Sequence, residues 1–98
     1  MKFTKNQEGT KLTYKIEGRL DTNTSPEVMK DFEASLNGIT DLVIDLEKLE
    51  YISSAGVRAL LYAYKVMKKQ GKLVFRNVPK AVYDVLSVVG LLDFFTIE

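Results

Sequence analysis

The chain has no histidine, no cysteine and no tryptophan, and only 2 prolines. Without histidine, it lacks the side chain that most often serves as a general base near neutral pH. Without cysteine, it has no disulfide framework, and a transition-metal site would have to consist of carboxylates alone. These absences disfavour most enzyme chemistry, so we expect a protein that is not an enzyme and needs no cofactor.

Long apolar runs and an excess of one charge are also absent. The longest apolar stretch, residues 57–64, is interrupted by Arg58, and the first six residues do not resemble a signal peptide. The 14 basic and 13 acidic residues give a net charge of +1, whereas nucleic-acid-binding domains usually have a strong basic bias. We therefore expect a cytoplasmic protein without membrane insertion or direct nucleic-acid binding. The densest basic group lies at the end of a predicted helix, where cations complement the helix dipole: Lys65, Lys68, Lys69 and Lys72.

What is present predicts one α/β domain over residues 1–98. A weak strand is expected over residues 3–8, and the two-residue alternation of apolar side chains after Lys11 predicts a second strand. Ser25 as a cap and Pro26 in the first turn predict a helix that ends near Gly38. The apolar run in residues 41–46 predicts a central strand covered on both faces.

The second half of the chain repeats this alternation. We expect a loop over 47–52, a helix over 55–70, a strand over 72–76, a third helix after Pro79 and a final short strand over 91–97. The order β-β-α-β-α-β-α-β predicts a mixed, mostly parallel sheet with helices packed against it. Tyr51, Phe94 and Phe95 are expected in the core, although an exposed patch among them could support a dimer.

Two adjacent serines, Ser53 and Ser54, stand between the central strand and the second helix. Functional surfaces of open α/β sheets gather beyond the carboxyl ends of the strands, and the first turn of a helix favours an anion. A simpler interpretation is equally available, because serine is a preferred N-cap residue and either serine could serve only as a cap.

The sequence resembles the STAS domain family in the order and spacing of several short motifs. These are Asp-Leu at 45–46, Ile-Ser-Ser-Ala-Gly-Val at 52–57, Glu-Gly-Arg-Leu-Asp at 17–21, Gly-Lys-Leu at 71–73 and Val-Val-Gly-Leu at 88–91. Together they span the chain from about Leu12 to Ile97. The resemblance is to the anti-sigma factor antagonist branch and implies its fold.

In that branch the phosphorylated serine or threonine lies two positions before the glycine, which here is Ser54. The family often has aspartate just before it, whereas this chain has Ser53, which is therefore the second candidate acceptor. The resemblance implies binding to an anti-sigma factor with serine kinase activity, release of a sigma factor, and a serine/threonine phosphatase that reverses the modification.

The resemblance also implies that the loop after the second strand borders the serine loop and shares the partner surface. Asp21 has its own simpler interpretation, since aspartate is common in turns and caps. Arg58 follows Ser54 at i+4, where it could meet a phosphate or a partner carboxylate, or simply be solvated. The predicted partner-binding residues are Asp21, Thr22, Asn23, Thr24, Ser53, Ser54, Ala55, Gly56, Val57 and Arg58.

Two other hypotheses compete with the antagonist. A constitutive STAS scaffold subunit of a transporter or signalling complex would use the same surface without phosphorylation. An enzyme with Ser54 as nucleophile is disfavoured, because no Gly-x-Ser-x-Gly elbow, phosphate-binding glycine loop or histidine accompanies it.

Overall fold

The computed structural model describes residues 1–98. It contains six strands and three helices, in the order β1 (Lys2–Glu8), β2 (Lys11–Leu20), α1 (Ser25–Ser35), β3 (Asp41–Asp45), β4 (Leu49–Ile52), α2 (Ser54–Gln70), β5 (Lys72–Arg76), α3 (Lys80–Val88) and β6 (Thr96–Ile97). The predicted α/β class is confirmed. None of the helices combines the length and the apolar character needed to cross a bilayer.

The sheet is mixed and mostly parallel. Its main order is β1-β2-β3-β5-β6, in which only β1 and β2 are antiparallel. Strand β2 has 10 residues and serves two parallel neighbours in succession. Its first half pairs with β3 and its last three residues pair with β4. The carboxyl ends of β2 and β4 therefore lie side by side.

The core lies on one face of this sheet. A single cluster of 23 buried apolar residues includes side chains from α1, α2, α3 and alternate positions of the strands. On the opposite face, Thr13, Lys15, Asp45 and Arg76 line an open polar depression. The expectation that the central strand is covered on both faces was therefore wrong. Val43 is buried on the polar side by its strand neighbours and lies outside the cluster.

Two further local predictions need correction. Residues 49–52, expected in a loop, form strand β4, whose pairing with β2 shifts register because Gly18 pairs with Leu49 and Arg19 pairs with Tyr51. The skipped residue, Glu50, interrupts the alternation that would have marked a strand. Ser25 is not the cap of α1; the N-cap residue is Thr24, and the Ser25 hydroxyl is buried without a hydrogen-bond partner.

The last strand is much shorter than expected. The backbone amides of Phe94 and Phe95 both donate to the carbonyl of Leu91, so most of the apolar run forms a turn. Phe95 is buried and stacks on Phe75 with ring centroids 4.5 Å apart, as the core prediction required. Phe94 is 60% exposed, so for this residue the core prediction was wrong.

Candidate protein-binding site

The two predicted site segments lie next to each other. Leu20 and Ile52 are partners at the ends of β2 and β4, and the Ser53 amide donates to the Leu20 carbonyl at 2.9 Å. Residues 21–24 and 53–58 thus leave the sheet from adjacent strand ends. We call them together the Ser54 surface: Asp21, Thr22, Asn23, Thr24, Ser53, Ser54, Ala55, Gly56, Val57 and Arg58.

Ser53 is the residue that caps α2. Its backbone is extended, and its hydroxyl accepts a hydrogen bond from the Gly56 amide at 3.3 Å. Its carbonyl accepts from the Val57 amide at 2.9 Å. The capping interpretation therefore explains Ser53 fully, and it does not explain Ser54.

Ser54 is the first residue of α2 and is exposed. Its hydroxyl forms no hydrogen bond within the chain. The backbone amides of Ser54 and Ala55 precede the first carbonyl of α2 that could accept from them, so they have no partner inside the helix. The first amides of a helix are unsatisfied unless a side chain or a ligand accepts from them, and together with the helix dipole they favour a negative group. The start of α2 thus offers a free hydroxyl beside two free donors.

Gly56 fixes this helix start against the sheet. A Cβ atom at this position would lie 2.6 Å from the carbonyl oxygen of Leu20 and 2.7 Å from Cγ1 of Ile52. Both distances are shorter than van der Waals contact allows, so any larger residue would push α2 away from β2. Gly56 therefore sets how closely residues 53–58, the serine loop, approach residues 21–24, the Asp21 loop.

Asp21 organises its own loop. Its Oδ1 atom accepts from the Asn23 amide at 3.0 Å and the Thr24 amide at 3.1 Å. Partial desolvation acts to raise the pKa of Asp21, but hydrogen bonds from the Thr24 amide, the Thr24 hydroxyl and the Asn23 amide, with the nearby charge of Arg19, hold that pKa below its ordinary value. The turn-forming role of Asp21 is thus present, and the exposed side chains of this loop are those of Thr22 and Asn23.

Arg58 lies one helical turn after Ser54, is exposed, and forms no ion pair or hydrogen bond within the chain. At i+4 the two side chains share one side of the helix. The structure thus leaves one uncommitted cation beside the free hydroxyl.

Two residues of this neighbourhood were missed by the sequence prediction. The guanidinium carbon of Arg19 lies 4.2 Å from the centroid of the Tyr51 ring, and Arg19 Nε lies 3.9 Å from Asp21 Oδ2. Tyr51 is 41% exposed, so its expected place in the core was wrong. An isolated glycine in a strand is a signal of irregular pairing, so Gly18 could have indicated the register shift that occurs just before Arg19. Exposed Arg and Tyr are frequent anchors of protein interfaces.

No group of three or more His, Cys, Asp or Glu side chains is placed to hold a metal ion. The arrangement instead consists of an exposed hydroxyl, free backbone donors, an arginine and an arginine–tyrosine stack. This combination can accept a covalent modification and contact another protein.

Comparison with known proteins agrees with the fold. The STAS domain family model matches residues 2–98. BtrV of Bordetella bronchiseptica, which is assigned as an anti-sigma factor antagonist, is 29% identical over 99 residues that cover 99% of this chain and 85% of BtrV.

Solved structures show the same architecture. An anti-sigma factor antagonist (STAS) domain protein from Planctomyces limnophilus is 20% identical with a TM-score of 0.87, covering 97% of this chain and 87% of that one. The Bacillus cell fate determinant SpoIIAA in its phosphorylated form is 16% identical with a TM-score of 0.78, covering 99% of this chain and 91% of that one. The family model matches nearly all residues and the fold agrees with it, so this chain belongs to the STAS domain family.

Proposed function

We propose that this protein is an anti-sigma factor antagonist that is switched off by phosphorylation of Ser54. In the unmodified form, the Ser54 surface binds an anti-sigma factor that is also a serine kinase, and the sigma factor held by that partner is released. Residues 1–98 act as a single STAS domain in the cytoplasm, and the chain is a substrate without catalysis or a cofactor of its own.

The modification follows from ordinary kinase chemistry. The Ser54 Oγ atom attacks the γ-phosphorus of ATP bound to the partner, the hydroxyl proton passes to a base of the kinase, and ADP leaves. A serine/threonine phosphatase later hydrolyses the phosphoester with water. The observation that supports Ser54 as acceptor is that the two serines have different roles. Ser53 caps α2, while Ser54 is exposed and its hydroxyl forms no hydrogen bond.

A phosphate on Ser54 is expected to act on the partner and not on the fold. It adds roughly −1.5 to −2 charges, and at a helix start such charge is favourable. At an interface, an unpaired buried charge costs several kcal/mol, and each ~1.4 kcal/mol changes affinity about tenfold. One phosphate can therefore weaken the complex by roughly two to three orders of magnitude.

Arg58 gives the switch a second element. In the unmodified protein its free guanidinium is available to a carboxylate of the partner. After phosphorylation, the new phosphate at i−4 competes for the same guanidinium, because the two side chains share one side of α2. Phosphorylation then removes an attractive charge while it adds a repulsive one.

The function is tested by titrating the purified protein into the complex of a sigma factor with the serine-kinase anti-sigma factor encoded nearest to its gene. We expect a stoichiometric complex with the anti-sigma factor and displacement of a fluorescently labelled sigma factor. Absence of both binding and displacement would contradict the proposal and would favour the constitutive scaffold in a transporter or signalling complex.

A further inference from the structure

A second candidate surface lies at the opposite end of α2, in a groove at the edge of the sheet. Its volume is about 350 Å³, and it lies between the last turns of α2, the start of β5 and the segment that leads into β6. The groove residues of α2, from Tyr64 to Lys68, follow Ser54 along the helix by roughly 15 to 21 Å at ~1.5 Å per residue. We call it the lysine groove.

The groove has an apolar lining that ends in an exposed aromatic ring. Tyr64, Met67, Leu73 and Val74 line it together with Phe94. The Phe94 ring meets the Tyr64 ring edge to face, with centroids 6.5 Å apart, and the residue is 60% exposed. The turn that buries neighbouring Phe95 holds Phe94 outside the core, so this apolar surface stays open unless another molecule covers it.

The rim of the groove is basic. Lys68 and Lys72 line it, and Lys65 and Lys69 stand on the same end of α2. All four are exposed, and none forms an ion pair or a side-chain hydrogen bond. Lys2, Lys11, Lys15 and Lys30 are also without an ion pair, so the distinctive feature here is that four such lysines lie together beside an apolar groove.

No acidic residue lines the groove. Asp41, the β3 partner of Lys72, and Asp93, which precedes Phe94, form no ion pair with these lysines. The uncompensated charge is therefore positive, beside an apolar surface. Helix-dipole complementarity accounts for lysines in the last turn, but it does not account for the exposed ring next to them.

We propose that the lysine groove binds an acidic segment of a protein partner, which places one apolar side chain against Phe94 and Tyr64 and its carboxylates near the lysines. A protein segment fits better than a small anion because the four lysines extend over more than one helical turn, and one small carboxylate reaches only one or two of them. The proposal goes beyond the Ser54 switch: contact here is independent of the phosphate, so a partner can stay attached at this end while the Ser54 surface is released.

The test uses a short fluorescein-labelled peptide in which glutamates flank a central Leu-Phe pair. One matched peptide has Ser-Ser in place of Leu-Phe, and another has glutamine in place of each glutamate. Binding is followed by anisotropy and by amide chemical shifts of the ¹⁵N-labelled full chain. We expect shifts centred on residues 71–74 and 94–96, and weaker binding of both matched peptides.

Matched variants distinguish binding at the lysine groove from general electrostatic attraction between the acidic peptide and the lysines of the protein. The pair Lys68→Gln with Lys72→Gln is expected to reduce affinity about tenfold at low salt, and Phe94→Ser about fivefold, since exposed charge pairs and a partly buried ring contribute modestly. The control pair Lys11→Gln with Lys30→Gln removes the same charge from exposed lysines without ion pairs, and Tyr83→Ser removes an exposed ring elsewhere. Both controls are expected to bind like the parent protein.

Several results would overturn the proposal: absence of peptide binding, equal losses in the control pair, or shifts spread over all lysines. Octanoate that shifts the groove amides while the peptide does not would assign the groove to a small amphiphile. Self-association seen by sedimentation and abolished by Phe94→Ser would assign it to a second copy of the chain. Ser54→Glu is expected to leave peptide affinity unchanged, so failure here is distinguishable from failure of the Ser54 switch.

Discussion

Helices α1 and α2 start beside each other, after neighbouring parallel strands, and both starts are rich in hydroxyl side chains. At α1 every backbone donor of the first turn is used within the chain: the Ser25 amide bonds to the Asp21 carbonyl, Pro26 has no N–H, and the amides of Glu27 and Val28 bond to the Thr24 carbonyl. At α2, Ser53 accepts from the amides of Gly56 and Val57, and those of Ser54 and Ala55 have no partner inside the helix.

The difference shows that the number of local acceptors, and not the presence of serine or threonine, decides which helix start can receive an anion. The Asp21 carboxylate accepts from the Asn23 and Thr24 amides and gives the first loop a negative charge. The residue three positions before Ser53 is Glu50, which lies in β4 and accepts no hydrogen bond from the start of α2, so α2 keeps an unfilled helix start. The expected effects below test this contrast, from the largest to the smallest.

Phosphoserine at position 54 is expected to weaken the complex with the anti-sigma factor by roughly 100-fold or more, because a dianion is placed at the interface. Calorimetric titration of protein carrying genetically encoded phosphoserine measures this. Asn23→Glu, an exposed charge on the Asp21 loop, is the control and is expected to cost less than about tenfold, since charges at an interface rim contribute little. Equal losses would remove the distinction between the two loops.

Gly56→Ala is expected to destabilise the protein by roughly 1–3 kcal/mol, because the new methyl group overlaps the Leu20 carbonyl. The direction of the change in the free energy of unfolding tests the contact, because Gly→Ala in an unobstructed helix stabilises by about 1 kcal/mol. Urea unfolding measures the free energy. A neutral or stabilising result would show that α2 is not held against β2 in the way described.

Ser53→Ala and Ser54→Ala form a matched pair of adjacent, chemically identical changes. Loss of the cap at Ser53 is expected to cost about 1 kcal/mol, whereas Ser54→Ala should stay within about 0.5 kcal/mol of the parent protein. Thermal and urea unfolding of both variants measure these two stability costs and show which serine is the cap. A larger cost at Ser54 would make Ser54 the cap and return the phosphorylation proposal to Ser53.

Asp21 is expected to make stability depend on acidity by a small amount. Its pKa is lowered in the folded protein, so its contribution is present above the ordinary aspartate value of about 3.9 and is lost as the pH falls through the folded pKa. Asp31, whose pKa is also lowered although burial acts to raise it, contributes in the same range. The measurement is therefore the free energy of unfolding of the parent protein and of Asp21→Asn as a function of pH. The difference between these two free energies should become smaller below about pH 4. A constant difference would contradict this assignment.

Much of the fold was predictable because its signals are local and periodic. The alternation that begins at Leu12 and the four-residue spacing from Val28 identified β2 and α1, and glycines marked the ends of the helices. β4 was missed because Glu50 is an extra residue against β2, and such a register shift is decided by the partner strand. The length of β6 was overestimated because the apolar run that begins at Leu91 is compatible with a strand as well as with the turn that the structure shows.

The candidate site was predictable in its residues and not in their division of roles. The order of Ser53, Ser54 and Gly56 indicated a helix start, but only the three-dimensional hydrogen bonds separate the cap from the free hydroxyl. Tyr51 is exposed and stacks with Arg19, which lies on another strand. The isolated Gly18 could indicate the irregular pairing of the two strands, but no local pattern could indicate which ring stays exposed. For the same reason the adjacency of the Asp21 loop came from the family resemblance and is confirmed here by the Ser53–Leu20 hydrogen bond.

The central claim is that Ser54 is the acceptor of the switch. The most direct measurement incubates the protein with ATP and the serine-kinase anti-sigma factor encoded nearest to its gene, and maps phosphate by intact and peptide mass spectrometry. The account predicts one phosphate, located on Ser54, retained in Ser53→Ala and absent in Ser54→Ala. Phosphate on Ser53, or none from a kinase that is active on another substrate, would contradict it.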